Sequence, residues 1–512
     1  MFFPPSLRNV VSCLAAALAL LLSILCSHPV HGQVVGGTIS GTISDKSGAV
    51  VANATVSMKN LATEVTTVVK SNTQGLYSLP NLLPGNYQQT VSAAGFETAI
   101  RNAIVLTVGA QMVSNVEMKV GAINETVEVS DQPPDLQLES SSISSSTDSQ
   151  TIVELPLNAR SWTDLATLQP GVSTIRAMAP VSSTDRLGRG YGVELSVSGG
   201  RPQQNNYLLN GISINDYTNQ APGSILGGNL GVDAVSEFSV LTSNQGAEYG
   251  RTSGGVISAI TRTGTNRFHG SAYEFLRNSA LDARNYFDPP TIAPFRRNQF
   301  GVSAGGPIQK DKTFIFGDYE GLRQSLGLSM VDNVPSLAAR SGQLSTGNVI
   351  VDPLVAPYLA FYPLPNGLVS GDTGIYSFSG SAITTENYFT TRVDHKFSDN
   401  DSLAGSYMYD SSPSSQNDEF NNKLIFTKTK RQLISLEENH LFRSSLMNSL
   451  RLGYHREFAA APSGSKAINP LAADTSLGYV PGDTVGFIGV PGLTFFSGGL
   501  STQQPAEFNW NS

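Results

Sequence analysis

The sequence is poor in charge and in cysteine. Asp, Glu, Lys and Arg make up only 14% of its 512 residues, against roughly 25% in soluble globular domains. Both cysteines, Cys13 and Cys26, lie near the N-terminus, so the rest of the chain can form no disulfide and use no thiol chemistry. The net charge is −8 without any lysine or arginine cluster, which excludes the basic surface that nucleic-acid binding requires.

Long apolar runs are also absent beyond the N-terminus. The run Val10 to Leu25 follows a single basic residue, Arg8, and precedes small residues before Gln33, which predicts a secretory signal peptide over residues 1–32. Lipidation of Cys26 is an alternative that Leu25, standing where a small residue should precede the cysteine, disfavours. No later stretch can form a membrane helix, so a membrane-embedded chain of this kind must be a closed β-barrel.

Glycine and alternating apolar and polar residues are abundant instead. The 49 glycines come to about 10% of the chain, against a usual ~7%. Residues 33–120 alternate in short bursts, such as Thr38 to Ile43 and Leu76 to Leu79, separated by turn residues such as Asp45 to Gly48. Strands about ten residues apart with turns between them predict a small β-sandwich.

The motifs of this segment resemble the carboxypeptidase regulatory-like domain, which implies a transthyretin-like fold. They are Gly41-x-Ile43-x-Asp45-x-x-Gly48, Thr73-x-x-Gly75-x-Tyr77 and Leu82-x-Pro84-Gly85-x-Tyr87. No histidine occurs between Gly32 and His269, so this domain cannot supply the histidines of a peptidase zinc site. We expect a packing and spacing module, with glycan or peptide binding as the alternative.

Residues 121–150 predict a linker that contains one isolated strand. Asp131 to Ser149 is rich in serine, acidic residues and proline, as flexible linkers are. The preceding segment, Glu125 to Ser130, alternates like a single strand. A lone strand has unpaired edges and must join a sheet of this protein or of a partner.

Residues 151–265 predict an α+β domain. Ser161-x-x-Asp164 is typical of a capped helix start, and Pro170-Gly171 would end that helix. Strand-like segments follow, including Phe238 to Thr242 and Gly255 to Thr261.

The motifs of this domain resemble the plug of TonB-dependent outer-membrane receptors, in particular the Oar-like branch with the same regulatory-like domain in front. They are Glu154-Leu155-Pro156-Leu157-Asn158-x-Arg160, Asn205-Asn206-Tyr207-Leu208-Leu209-x-Gly211, Ala247-Glu248-Tyr249-Gly250-Arg251 and Gly264-Thr265-Asn266-x-Phe268-His269-Gly270. Further matches to that branch are Arg297-Asn298-Gln299-Phe300-Gly301 and Asp318-Tyr319-Glu320-Gly321. Ala159, Asn210 and Arg262-Thr263 differ from the residues that are usual in this family. These differences affect the expected detail of local loops and not the resemblance itself.

Residues 266–512 alternate like outer-membrane strands. Leu450, Leu452 and Tyr454 would share one face, with Arg451 and His455 on the other, the dyad of apolar residues outside and polar residues inside. Residues 387–397 alternate similarly, with tight turns expected at 398–402 and 443–445 and a longer outer loop at 411–422. A soluble array of β-sandwiches would show the same alternation.

The full barrel implied by the resemblance has about 22 strands of about ten residues each. These 247 residues are too few for that barrel and its loops, so we expect a C-terminally truncated fragment with a partial barrel. The predicted fold class is mainly β, with a transthyretin-like β-sandwich, an α+β plug and the first part of an antiparallel transmembrane β-barrel.

Catalytic motifs find no support in their context. Gly301-x-Ser303-x-Gly305 matches the nucleophile elbow of hydrolases, but Gly306-Pro307 follows where a helix should begin. The chain has no phosphate loop and no zinc helix motif, and its histidines beyond the signal peptide are scattered singly. We predict no catalytic residue, no metal site and no cofactor, and therefore no enzyme.

The resemblance implies an outer-membrane receptor whose N-terminal domains lie in the periplasm. Its partners would be the TonB energy-transducing complex, outer-membrane lipid and an extracellular ligand, which could be a siderophore, glycan, peptide or vitamin. The candidate TonB box, the short segment that pairs with TonB, is Thr126, Val127, Glu128, Val129 and Ser130, because its alternation suits strand addition. The same segment could instead be a strand of a neighbouring domain.

Two other functions stay open from the sequence. One is a surface adhesion or structural outer-membrane protein without active transport. The other is a secreted glycan-binding protein built from β-sandwiches.

Overall fold

The computed structural model describes most of the chain after the predicted signal peptide, which lies outside the described residues. The described residues are 36–121, 126–128, 143–155, 157, 160–176, 192–246, 249–250, 252–283, 292, 294–443, 446–500 and 507–511. Within these ranges no helix has the length and apolar character that a membrane crossing needs.

The first domain is a sandwich of two sheets, with strand orders β4-β1-β7, where β8 also pairs with β1, and β3-β2-β5-β6-β9. Its strands are β1 (Gly37–Asp45), β2 (Thr55–Asn60), β3 (Thr66–Lys70), β4 (Leu76–Leu82), β5 (Gly85–Ser92), β6 (Thr98–Leu106), β7 (Gln111–Val113), β8 (Val116–Met118) and β9 (Thr126–Glu128). Alternate residues face inward, and Ile39, Ile43, Val56 and Met58 are among the buried side chains between the sheets. The predicted β-sandwich is therefore confirmed.

The second domain is an α+β unit around one five-stranded sheet of order β10-β15-β16-β13-β14, with a separate hairpin β11-β12. Its elements are β10 (Ile143–Asp148), α1 (Ser149–Glu154), β11 (Val172–Arg176), β12 (Glu194–Val197), β13 (Asn206–Leu209), β14 (Ile212–Ser213), β15 (Val235–Ser243) and β16 (Val256–Thr261). Strand β16 is buried along its whole length, as expected of a strand covered on both faces.

Two local expectations for this region need correction. Residues 143–148, predicted as linker, form the edge strand β10, because pairing with β15 gives this serine-rich segment its backbone hydrogen bonds. Residues Trp162–Leu168 form a 3-10 helix that the Ser161 side chain does not cap. Ser161 Oγ instead accepts from the backbone N–H of Asn229 at 3.1 Å.

The third unit is a large antiparallel sheet of order β17-β18-β19-β23-β24-β25-β26-β27, with β22 paired to β23. Its strands are β17 (His269–Asn278), β18 (Phe295–Gln309), β19 (Thr313–Pro335), β22 (Val369–Ser370), β23 (Thr373–Ser398), β24 (Asp401–Asn417), β25 (Lys423–Arg443), β26 (Leu446–Ala467) and β27 (Glu507–Asn511). Between β19 and β23 lie α2 (Leu337–Arg340), the short hairpin of β20 (Gln343–Leu344) and β21 (Gly347–Asn348), and α3 (Ala356–Leu359).

The two faces of this sheet differ as predicted. Leu450, Leu452 and Tyr454 are exposed on the outer face, whereas His455 and Glu457 are buried on the inner face. The inner face is the one against which the second domain packs. The alternation therefore separates a surface suited to lipid from a polar lining.

The connections between strands are shorter at one end of the sheet, here named the tight-turn end. β18 and β19 are joined there by residues 310–312, and β23 and β24 by residues 399–400. The outer loop predicted over 411–422 is instead strand up to Asn417, so that only residues 418–422 connect β24 to β25. Alternating polar residues continue the ladder because β25 pairs with them to the end of β24.

We expect Leu452→Arg to impair the folding of this sheet in lipid. Leu452 points outward and is 59% exposed, and a charged residue on the lipid face costs about 2–4 kcal/mol near the bilayer midplane. Urea unfolding of the protein in lipid vesicles measures this loss, with Leu452→Phe as the matched apolar control. Equal stability of the two variants would contradict an outer face in contact with lipid.

Candidate functional site

The second domain lies against the inner face of the large sheet, which runs from β17 to β27 and is called the wall from here on. One apolar cluster forms this contact. Trp162, Leu165, Phe238 and other buried residues of the domain form this cluster. The large sheet contributes Phe316, Leu322, Tyr388, Met408 and Leu433. The inner face of the sheet is thus partly apolar where the second domain covers it.

The first of three buried ion clusters at this interface centres on Arg160. Its guanidinium forms an ion pair with Asp233 of the same domain and its Nε lies 3.5 Å from Glu320 Oε1 of the wall. Glu320 also accepts from the backbone N–H of Gly231 at 2.8 Å and from Gln299 Nε2 at 2.6 Å. One arginine therefore links an acid of the domain to an acid of the wall.

The backbone and the neighbours of Arg160 hold its side chain in this position. Arg160 has φ of 51°, the left-handed region that a residue with a β-carbon enters only at a cost. Its guanidinium carbon lies 4.2 Å from the ring centroid of Tyr273 and 5.0 Å from that of Phe275, both on the wall. Cation–π contacts of this kind add attraction to the ion pairs.

The second ion cluster centres on Arg431 of the wall. Its Nε donates to Asp410 Oδ2 at 3.1 Å, and its Nη1 donates to the side-chain oxygen of Asn229 in the second domain. Nearby, Ser224 Oγ donates to the buried carboxylate of Glu386 at 2.8 Å. Both contacts attach the loop that precedes β15 to the wall.

The third ion cluster lies nearer the tight-turn end. Arg392 Nη2 pairs with Asp394 Oδ1 at 2.8 Å, and Arg392 Nη1 donates to the carbonyl oxygen of Thr261, the last residue of β16, at 3.3 Å. Thr263 Oγ1 donates to Asp394 Oδ2 at 2.6 Å. The segment that leaves the domain's sheet toward the large sheet is therefore fixed where it begins.

The burial of these charged groups makes the interface specific. Burying a charge is costly unless it is paired, and removing one partner of a buried pair costs about 3–5 kcal/mol. In water the same groups are solvated and need no partner. The buried pairs therefore fix the position of the second domain against the sheet while the interface excludes water.

Glu237 of β15 connects the second domain to the first. Its Oε1 accepts from the backbone N–H of Val108 at 3.0 Å. Burial raises the pKa of Glu237 to about 7, against the lowering effect of the hydrogen bonds from Val108 and Ser146. This contact between the domains therefore includes a carboxyl group that titrates near neutral pH.

The residues of the predicted TonB box lie partly outside the described residues. Thr126–Glu128 form β9, which pairs in parallel with β6 of the first domain, Thr98 opposite Thr126 and Ile100 opposite Glu128. Val129 and Ser130 are outside the described residues. The segment thus serves as a strand of its neighbouring domain in this state, and its role as a TonB box stays a prediction.

Sequence reasoning missed most of the ion clusters. In the sequence, Arg160 belongs to a plug-like motif, and Arg392 and Asp394 lie in the alternating segment 387–397, but neither pattern indicates an ion pair. Asp233 and Arg431 carry no local signal, because nothing near them in the sequence shows which charges face each other across the interface. Alternation shows that a residue points inward but not what it meets there.

The hydrolase-like motif and His440 both lie within strands of the large sheet. Gly301 to Gly305 lie inside β18 and form no elbow. Asp401, Glu438 and His440 bring their ligand atoms within 4.8 Å of one another on the outer face at the tight-turn end. His440 Nδ1 lies 3.5 Å from Asp401 Oδ2, and Asn448 donates to Glu438 at 3.2 Å, so protein partners already contact this group.

Three family models match the chain in succession. Residues 38–119 match the carboxypeptidase regulatory-like domain, residues 136–256 the TonB-dependent receptor plug domain, and residues 260–512 the outer membrane beta barrel domain. The TonB-dependent transporter Oar of Myxococcus xanthus is 30% identical over 275 residues, which are 52% of this chain and 24% of that protein. The chain therefore spans about a quarter of the length of this curated relative.

Solved structures of outer-membrane receptors are similar at low identity. The outer membrane transporter YddB from Escherichia coli is 15% identical with a TM-score of 0.41, covering 64% of this chain and 40% of that chain. The ferric enterobactin receptor of Pseudomonas aeruginosa, solved in complex with enterobactin, is 13% identical with a TM-score of 0.39, covering 72% and 44%.

We expect Arg160→Met to loosen the second domain from the wall. The change leaves Asp233 and Glu320 buried without their cation, at a cost of about 3–5 kcal/mol. Urea unfolding followed by the fluorescence of the buried Trp162 measures this cost. The control is Lys59→Met, which breaks the exposed pair with Glu64 and should cost less than about 1 kcal/mol; equal effects would contradict a special role for Arg160.

We also expect Glu237→Gln to flatten the pH dependence of stability. Because the pKa of Glu237 is raised to about 7, the folded state holds this proton more tightly than the unfolded state does. The associated stability is full below the ordinary pKa of 4.5 and is lost as pH rises from there to about 7, on the order of 2 kcal/mol. Thermal unfolding between pH 5 and pH 8 measures it, and an unchanged slope in the variant would refute this assignment.

Proposed function

We propose that this outer-membrane protein, which carries the plug, the outer membrane barrel domain and the regulatory-like domain found in homologues of the TonB-dependent transporter Oar, is a TonB-dependent receptor that imports an extracellular ligand. TonB would pair with the segment at residues 126–130 and pull, and the plug would move relative to the barrel wall. The homologues belong to a class of transporters that are not enzymes, and we propose the same for this chain.

One observation carries the proposal. A folded α+β domain is held against the inner face of the large sheet by the ion pair of Arg160 with Glu320 and by hydrogen bonds that Arg431 donates to Asn229 and Arg392 donates to Thr261. Both of these arginines are paired with acids of the sheet itself. A structural outer-membrane protein needs a stable wall but has no need of a separable domain inside it. A transporter needs both a seal and a way to break it, and paired charges that water can solvate supply the two.

The pairing of β9 with β6 supports a role for Thr126–Glu128 in strand addition. Within the described residues the ladder joins Thr98 with Thr126, Ala99 with Val127 and Ile100 with Glu128. Strand β9 lies at the edge of its sheet, and an edge strand can pair with another strand through its backbone groups. TonB would compete with β6 for this segment.

In this proposal the ligand binds at the end of the large sheet opposite the tight turns, where the connections 279–294, 336–372 and 468–506 are long. Phe361 and Phe496 from two different connections stack there with ring centroids 4.7 Å apart. Lys423 Nζ donates to the carbonyl oxygens of Ser497, Gly498 and Gly499 at 3.0, 2.6 and 3.0 Å. These contacts fold the connections into a defined outer surface. Siderophore, glycan, peptide and vitamin are all compatible with it.

The substitution Val127→Pro tests the TonB-box part of the proposal. Proline removes the backbone N–H that strand pairing uses, so cross-linking between TonB and this protein in whole cells should fall at least tenfold. Val127→Thr keeps the N–H and the β-branched shape and should retain cross-linking. Unchanged cross-linking of the proline variant would place the box elsewhere.

A further inference from the structure

The first domain contacts the inner face of the large sheet at its tight-turn end. On β25, Glu437, Asn439 and Leu441 face inward, whereas Leu436 and Phe442 are exposed on the outer face. Asn81 Nδ2 of the first domain donates to Glu437 Oε1 at 2.5 Å and to Asn439 Oδ1 at 2.9 Å, and Leu441 packs against the first domain's core. Because these partners point inward, the domain contacts the inner face of the sheet at this end and not only its edge.

The backbone of the first domain is shaped for this contact. The register of β1 and β4 shifts between the pairs Gly37–Leu82 and Ile39–Leu79, which places Pro80 and Asn81 in a β-bulge. Asn81 has φ of 55°, in the left-handed region. Bulges re-aim a side chain out of a regular ladder, and strained backbone is concentrated at functional contacts. Here the bulge directs the amide of Asn81 to the wall.

Further hydrogen bonds join the first domain to the wall and to the plug. Lys396 Nζ, on the inner face of β23, donates to the carbonyl oxygen of Thr66 at 2.7 Å. Asn266, between the plug and β17, donates through Nδ2 to the carbonyl oxygen of Thr63 at 2.6 Å. The contact between Val108 and Glu237 reaches the plug sheet itself. The domain thus touches two wall strands, the plug and the segment that connects them.

A cavity of about 190 Å³ lies where the three units meet. Val69 and Leu79 of the first domain, Asn210 of the plug, and Arg392 and Glu437 of the wall line it. The first domain therefore closes one side of this cavity, and the plug and the large sheet form its other sides.

We propose that the regulatory-like domain is a second closure of the import path, seated in the periplasmic mouth of the barrel and latched by Asn81 to Glu437 and Asn439. Ligand that passes the plug reaches the periplasm only after this domain leaves its seat. The displacement of the first domain by TonB rests on the proposed function. The contact of this domain with the inner face of the large sheet, here called the seat, does not. Because β9 is a strand of this same domain, a pull on residues 126–130 would act on the closure first.

Paired cysteines test the seat in the protein as it occurs in the outer membrane. The chain has no cysteine after Cys26, and the periplasm favours disulfide formation. Asn81→Cys with Asn439→Cys should cross-link in resting cells. Asn81→Cys with Glu438→Cys, which places the second thiol one residue away on the outer face, should not. Equal yields from the two pairs, or none from the first, would overturn the seat.

Labelling of the single variant Asn439→Cys with a maleimide tests the displacement. Labelling should be at least fivefold faster in energised cells with TonB than in cells lacking TonB, while Glu438→Cys labels equally in both. Adding Asn81→Gly, which suits the left-handed backbone but removes the latch, should speed labelling without TonB. If the cysteine pair cross-links but labelling ignores TonB, the domain is a fixed spacer and the displacement is refuted. If Asn81→Gly also has no effect, Asn81 is not the latch.

Discussion

The ion pairs of Arg160 are the interaction on which the arrangement of the domains depends. The inner wall carries carboxylates at Glu320, Glu386 and Asp410 that are almost wholly buried, and a buried carboxylate is tolerated only with a partner. Arg160 and Ser224 of the plug supply partners for two of them. The buried carboxylates of the wall therefore depend on side chains of the plug, and these contacts fix the position of the plug against the wall.

Apolar packing and ion clusters contribute differently to the contact between the plug and the wall. Apolar packing around Phe316 and Leu433 gives the interface its adhesion, whereas the ion clusters make it specific for one seating. A purely apolar interface would resist separation at every step. In the proposed function, the polar contacts would separate as water reaches and solvates each charge, which would let the seal open under tension.

The architecture could be predicted from the sequence much further than the site could. The alternation of Leu450, Leu452 and Tyr454 with His455 reports a strand between lipid and a polar interior, because the period of a strand is fixed by its geometry. The strand β10 was missed because Ser144 to Ser146 have neither apolar alternation nor strand propensity, and only the neighbouring β15 gives them a ladder. The pairing of Arg160 with Glu320 depends on two distant segments meeting inside the barrel, which no local pattern encodes.

Mechanical pulling on Thr126, with the barrel held in a lipid bilayer, tests most directly whether the plug is a separable seal. If the buried ion clusters hold a movable plug, the first domain and then the plug should yield at forces below those that extract any barrel strand, and Arg160→Met should lower the force of the plug step only. If barrel strands leave the bilayer before the plug yields, the plug is a fixed part of the wall and the proposed transport mechanism is wrong.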